Sequence, residues 1–311
     1  MQAVAAEPEP VHSGPPLVRG VEGHAVIDCR TCGFAHLDPL PTASALRDVY
    51  RTHYYASVKP GYLAAERAQQ GYWALEHDDK LDAFAALRGR PPGRLLDVGC
   101  SGGFFLAHAA RRGWQGVGVE PSEQAAAHAR GMGVEVVEQF LDELNWGDLG
   151  TFDAIHLKLV LEHLPDPAAV LAAARACLKP GGIVCVQVPN DFNPLQAAVR
   201  TTLGTPAWWV APPYHVNYFS FASLRRLFTR LGLGVVREDT NFPMEFFLLM
   251  GDHYVGNDDV GALCHRRRMA LEERMAAAGL NELRRGIYRA LAAGGIGREA
   301  IVYAQASEVP A

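Results

Sequence analysis

An α/β fold with a mostly parallel sheet is predicted by three observations. Strand-like apolar runs alternate with helix-like segments from Arg94 onward, the order a parallel sheet requires. The first run, Arg94–Val98, leads into Gly99-Cys100-Ser101-Gly102-Gly103, a glycine turn opening a helix. The chain has 311 residues, 49% hydrophobic and 20% charged, enough for one substantial α/β domain with additions.

The elements follow in order. Residues 1–22 are rich in Ala, Pro and Glu and lack the basic start and apolar run of a signal peptide, which predicts a disordered tail. Residues 23–90 hold Cys29-Arg30-Thr31-Cys32 and then an aromatic-rich helical stretch, read as an N-terminal cap segment. Tyr54, Tyr55, Tyr62, Tyr72 and Trp73 are expected to pack it onto the next domain. Pro91-Pro92-Gly93 marks the boundary. Beyond it come strand 94–98, helix 103–112, strand 115–120, a helix at 122–132 with Ser122 as N-cap, and strands 134–137 and 152–157. A helix from Pro167 is stopped by Lys179-Pro180-Gly181-Gly182 before strand 183–188. Ser220 caps a further helix, and strands follow at 235–240 and 300–305. The main domain is thus expected at 91–240 and 298–307, interrupted by a helical insertion at 241–297.

The chemistry starts at Asp97. A phosphate-binding turn gains nothing from a carboxylate at its strand end, whereas an ammonium group or sugar hydroxyls would be held there. Small residues at Gly99, Ser101 and Gly103 admit a ligand to the backbone, and the helix start offers N–H groups to a carboxylate. Glu120 ends the second strand, where an acid can accept hydrogen bonds from ribose hydroxyls. S-adenosylmethionine combines an amino acid, a ribose and an adenine without phosphate, and fits this set.

Leu96-Asp97-Val98-Gly99-Cys100-Ser101-Gly102-Gly103, Val117-Gly118-Val119-Glu120-Pro121, Phe152-Asp153-Ala154-Ile155, Leu161-Glu162-His163-Leu164, Leu178-Lys179-Pro180-Gly181-Gly182 and Val188-Pro189-Asn190 occur in this order. With them, residues 93–240 and 298–305 resemble the class I S-adenosylmethionine-dependent methyltransferases, small-molecule type. Ser101 departs from the glycine usual in that family. The resemblance implies a Rossmann-like seven-stranded sheet with its last strand antiparallel. It also implies a cofactor site of Asp97, Gly99, Ser101, Gly103, Glu120 and Pro121, with Leu141 and Asp142 bordering the adenine and Lys158 following the fourth strand. A sulfonium would repel Lys158, so it contributes only backbone, or its side chain reaches an acid such as Glu162 or an anionic substrate.

Methyl transfer to oxygen usually needs a base as well as positioning. His215, in a loop that carries a histidine in many such enzymes, and His163 are candidates, with Asn190 and Tyr214 orienting the acceptor; a structural role for either histidine is the alternative. The insertion is expected to form a lid with Trp208 and Trp209, or an interface in a homo-oligomer. Its arginines, among them Arg266, Arg267, Arg268, Arg284, Arg285 and Arg289, suit an anionic acceptor such as a nucleotide-linked sugar, or pair with Glu272, Glu273 and Glu282. Cys29 and Cys32 with His24 and His36 could hold zinc, a metal-free turn being the alternative. The other cysteines read as buried thiols.

The expected function is methyl transfer from S-adenosylmethionine to a small molecule, an oxygen of a sugar, nucleotide-sugar or natural-product intermediate, in the cytoplasm. The alternatives are an RNA or protein methyltransferase and a catalytically silent binding subunit. A net charge of −5 argues against nucleic acid as a partner, and no run is long and apolar enough to suggest a membrane partner.

Overall fold

The computed structural model describes residues 11–48 and 61–306. The N-terminal segment forms β1 (Pro16–Val21), β2 (His24–Asp28), β3 (Ala35–Asp38), α1 (Ala43–Asp48), α2 (Tyr62–Ala68) and α3 (Gln70–Arg88). The main domain follows with β4 (Arg94–Val98), α4 (Phe104–Arg111), β5 (Gln115–Val119), α5 (Glu123–Gly131), β6 (Glu135–Val137), β7 (Phe152–Lys158), α6 (Pro167–Ala176) and β8 (Leu178–Pro189). Then come α7 (Pro194–Leu203), β9 (Asn217–Tyr218), α8 (Phe221–Arg230), β10 (Leu233–Asp239), α9 (Glu245–Leu249), α10 (Asp258–Ala277), α11 (Asn281–Ala293) and β11 (Glu299–Ala306).

The main sheet has the order β10-β11-β8-β7-β4-β5-β6. β4, β5, β6, β7 and β8 run parallel, and β11 is antiparallel to both its neighbours. Alternation along each strand sorts the core into two layers. Leu96, Val98, Ile155, Leu157, Val184 and Val186 pack with Leu171 of α6 and Leu224 and Phe228 of α8. Leu95, Ala154, Ile183 and Cys185 pack with Leu81 and Phe84 of α3 and Phe105 and Leu106 of α4. Asp97 lies between Leu96 and Val98, so it belongs to the α3–α4 side of the sheet.

Helix boundaries follow local chemistry. The Ser122 side chain accepts from the Ala125 N–H, and Asp166 caps α6 with Pro167 at its first position. Ser220 opens α8 with a capping box.

Two expectations change at the amino end. Of the tail predicted at 1–22, residues 1–10 lie outside the described residues, but Pro16–Val21 is a strand antiparallel to β2. Its composition suggested no structure; its backbone is ordered by pairing with an apolar strand elsewhere, which composition does not register. The cap is also not a purely amino-terminal unit. β9, from the loop beyond β8, pairs with β3 to complete a second sheet, β1-β2-β3-β9. Val26, Leu37, Leu46, Val210, Val216 and Tyr218 form its core.

The insertion is helical, as expected, but it is not placed as a lid. α10 packs on α3, and α11 packs on α10 and β10. Three of its arginines turn inward to α3, whereas Arg266, Arg267, Arg274 and Arg289 are exposed. Asp79 takes Arg284 at 2.8 Å and Arg285 at 2.6 Å; Arg285 also reaches Asp82 at 2.7 Å, and Arg284 lies 3.5 Å from Glu272. Buried Arg268 sits over the Tyr72 ring at 5.2 Å. The acidic face of α3 neutralises Arg284 and Arg285, two of the cations that, read along the insertion alone, suggested an anionic ligand. Tyr54 and Tyr55 lie outside the described residues.

Candidate active site

A cavity of about 640 Å³ opens at the carboxyl ends of β4, β5 and β7, where ligands bind in open parallel sheets. The sheet side supplies Asp97, Gly99, Ser101, Glu120, Pro121, His156 and Lys158. Leu141, Asp142 and Trp146 form one end, and the cap supplies Leu46, Arg47, Tyr62, Glu66, His77 and Lys80. Arg47 forms an ion pair with Asp142, joining the cap to the loop after β6.

The turn is shaped by close packing. Gly99 has φ 72°, and a Cβ there would lie 2.6 Å from the Val160 side chain. Ser101 adopts φ 50°, a left-handed conformation costly for serine, which explains why glycine suits that position. Gly103 is not among the cavity-lining residues. It caps α4 at φ 79°, and a Cβ would meet Ala129 at 2.7 Å, so its smallness serves helix–helix contact.

Two buried carboxylates face the cavity from adjacent strands. Asp97 accepts from His156 Nδ1–H at 2.8 Å, because β4 and β7 pair with Asp97 opposite His156. Burial holds His156 below its ordinary pKa against the pull of Asp97. Glu120 accepts from the Ser101 and Ser122 N–H groups, each at 2.9 Å. Burial pushes its pKa up to about 7; the two N–H groups oppose this and the nearby Asp97 charge adds to it. A sequence reading finds Glu120 and Asp97 at strand ends but not His156, whose role depends on strand register.

Lys158 reaches Glu76 on α3 at 2.8 Å rather than Glu162, with its ammonium over the Trp73 ring at 4.4 Å. Glu76 also takes Lys80 at 2.7 Å. The two cations hold Glu76 well below its usual range despite burial, and Glu76 keeps Lys158 charged.

Of the four residues expected to handle the acceptor, His163 lines the cavity. Its Nδ1–H donates to the Tyr214 carbonyl at 2.8 Å, and its ring lies 5.0 Å from that of His215. Tyr214 and His215 are not among the lining residues. Glu162, His163 and His215 bring their donor atoms within 4.8 Å of one another. Asn190 is buried away from the wall: its amide donates to the Gly295 and Gly297 carbonyls at 2.9 and 3.1 Å, holding the chain entering β11. Trp208, Trp209 and residues 241–297 also contribute nothing to the lining.

A second cluster lies in the cap. His12, Cys29, Cys32 and His36 place their donor atoms within 4.8 Å of one another. His12 Nδ1 is 3.7 Å from Cys29 Sγ and 3.3 Å from Cys32 Sγ. His36 Nε2 is buried without a hydrogen-bond partner among the described residues. Two thiols and two imidazoles are a donor set that fits tetrahedral zinc. Burial opposes ionisation of Cys29, but the Cys32 N–H and the adjacent His12 and His36 rings bring its pKa down to about 6. His24, expected here, instead contacts the Pro39 carbonyl at 3.3 Å. It begins β2 while Cys29 follows the strand's end, a separation of about 17 Å at ~3.3 Å per residue. His12 takes its place because β1 lies beside β2. The β3 strand carries His36, and Arg226 and Arg230 of α8 donate to the Gly33 and Thr31 carbonyls, fixing the knuckle to the main domain. All six cysteines are free.

Comparison with known proteins agrees with this layout. A family model described as "Methyltransferase domain" matches residues 66–238, more than half of the chain. The ubiquinone biosynthesis O-methyltransferase of Hahella chejuensis is 38% identical over 109 residues, 33% of this chain and 44% of the relative. That of Neisseria meningitidis is 32% identical over 176 residues, 50% of this chain and 69% of the relative. The chain spans about half the length of the first curated relatives it matches. Among solved structures, the plantazolicin methyltransferase BpumL superposes with a TM-score of 0.53 at 12% identity, covering 85% of this chain and 96% of that one. No helix of the described residues is long and apolar enough to cross a membrane. A match over more than half its length, together with this sheet order, makes the chain a member of the methyltransferase-domain family, of the class I type.

Proposed function

We propose that the cavity binds S-adenosylmethionine and that the chain transfers its methyl group to an oxygen of a small acceptor. The observation that carries this reading is the pair Asp97 and Glu120, two buried carboxylates on neighbouring parallel strands facing one cavity across a glycine turn. Asp97, held by His156, would take the amino group, and the opening of α4 would face the carboxylate. Glu120 keeps lone pairs for the ribose hydroxyls beyond the two backbone bonds it already accepts. Leu141, Asp142 and Pro121 would border the adenine.

The reaction is an in-line displacement. The acceptor oxygen forms a bond to the methyl carbon, the carbon–sulfur bond breaks, and its electron pair stays on sulfur. The protein's share is to align the two and to exclude water. The names of the curated relatives favour oxygen as acceptor. An anionic acceptor loses the support of the insertion arginines, since Arg284 and Arg285 are engaged by α3 and no residue of 241–297 lines the cavity. His163 is the acceptor-side histidine placed to contact a substrate; His215 stands behind it. In the cap, His12, Cys29, Cys32 and His36 would hold a structural zinc ion with all four positions filled by protein.

Isothermal calorimetry with S-adenosylhomocysteine tests the central claim. Saturable one-site binding is expected; well-folded protein that takes up neither this compound nor S-adenosylmethionine would refute it.

A further inference from the structure

Glu66 is a carboxylate at the cavity that the binding scheme above leaves unused. It lies on α2, one turn beyond Tyr62, and both side chains line the cavity on its cap side. The ionisable groups around it are Tyr62 on α2, Glu76, His77 and Lys80 on α3, Asp97 on β4, and His156 and Lys158 on β7. Most of the charges are already matched. Lys158 and Lys80 both turn to Glu76, at 2.8 and 2.7 Å, and Asp97 holds His156 at 2.8 Å. Glu66 Oε2 is sealed from water and has no hydrogen-bond partner among the described residues.

A shielded, unsatisfied carboxylate oxygen is costly in a native fold and calls for a bound group that compensates it. With both neighbouring lysines turned to Glu76, Glu66 and Asp97 leave this end of the cavity net negative. That field suits a sulfonium. Asp97 is assigned to the amino group, which lies a few bonds from the sulfur, and Glu66 interacts electrostatically with both Asp97 and Lys158.

We propose that Glu66 faces the transferring methyl group and is the base that receives the acceptor's proton. This rests on the S-adenosylmethionine reading above. As the acceptor oxygen bonds to the methyl carbon, its O–H bond breaks and the proton passes to Glu66. The S–CH3 pair stays on sulfur as the neutral thioether, and the carboxylic acid returns its proton to water when product leaves. Burial keeps the Glu66 carboxyl above its ordinary pKa, with Lys158 and a hydrogen bond from Tyr62 opposing and Glu76 and Asp97 reinforcing the rise. A raised value makes it a stronger base than an exposed carboxylate.

The test uses two ligands of the full chain that need no acceptor. S-adenosylhomocysteine has nothing where the methyl group would sit, whereas sinefungin places a protonated amine there. Calorimetry at pH 8 is expected to show sinefungin preferred by about tenfold, and Glu66→Gln is expected to erase that preference while the S-adenosylhomocysteine Kd stays within twofold. In the unaltered chain the preference should also shrink as pH falls and Glu66 takes up a proton, a readout that survives if the variant fails to fold. A preference that persists in Glu66→Gln, equal weakening of both ligands, or a pH-independent ratio would each overturn the assignment. Failure of the unaltered chain to bind either compound would instead overturn the cofactor reading.

Discussion

With Glu120 assigned to the ribose, ligand uptake should depend on pH, and the size of the effect can be worked from its surroundings. Its carboxyl is displaced from an ordinary 4.5 to about 7, chiefly by burial. In the ligand-free fold this displacement costs about 3 kcal/mol of stability once the pH exceeds 7, at ~1.4 kcal/mol per unit. The penalty vanishes below pH 4.5 and grows as pH rises, because the folded form holds the proton more tightly than the unfolded one. Ribose hydroxyls would donate to the carboxylate and stabilise its charged form, so binding below pH 7 expels a proton. Affinity therefore climbs as pH rises through about 7 and levels off above it. The Kd for S-adenosylhomocysteine is expected to be about tenfold weaker at pH 6 than at pH 8. Glu120→Gln should flatten the profile and weaken binding by roughly a hundredfold, the loss of two charge-assisted hydrogen bonds at ~1.5 kcal/mol each. Calorimetry in buffers of different ionisation enthalpy measures the proton release directly. A flat affinity between pH 6 and 8, or full affinity in Glu120→Gln, would refute the assignment of Glu120 to the ribose.

Four other outcomes follow. Elemental analysis of purified protein should find about one zinc ion per chain, lost in Cys32→Ser and reduced in His12→Ala, but retained in His24→Ala, whose side chain contacts Pro39 instead. Asp79→Ala removes the partner of two arginines, one only 4% exposed, and should lower stability by about 3 kcal/mol in urea unfolding. Gly99→Ala places a methyl group 2.6 Å from Val160 at φ 72° and should cost about 1–3 kcal/mol, seen as a fall in Tm together with weaker S-adenosylhomocysteine binding. Asn190→Ala should destabilise by about 1–3 kcal/mol, because it removes two buried bonds to the chain before β11, yet leave S-adenosylhomocysteine affinity unchanged. If affinity fell at constant stability, Asn190 would have to be placed in the cavity after all.

The sequence is legible where chemistry is local. The glycine turn, Glu120 at its strand end and the Ser122 and Ser220 caps all act within a few residues of themselves, and the structure has the carboxylates and caps at those positions. What stays hidden is set by partners distant in the chain. His156 reads as an interruption of an apolar strand until β4 and β7 are paired in register. Glu66 and Glu76 are two acids in a polar helical stretch, and only the packing of α2 and α3 over the cavity tells them apart from solvated ones. The same blindness produced the two largest misplacements. His24 is near Cys29 in sequence but at the wrong end of a strand, whereas His12 is brought in by β1. For Arg284 and Arg285 the sequence offers Glu272 and Glu282, which do pair with them, but not Asp79, about two hundred residues earlier, which takes both.

The pairing of β3 with β9 closes a loop between distant parts of the chain. Shortening the protein from its front would therefore do more than trim an appendage. It would strip Asn217 and Tyr218 of their neighbour and loosen the stretch whose Asn217 amide grips the Leu161 and Leu164 carbonyls, on either side of His163. A fragment cut to the main domain alone would inherit a frayed cavity wall, so recombinant work on this protein is best begun upstream of His12.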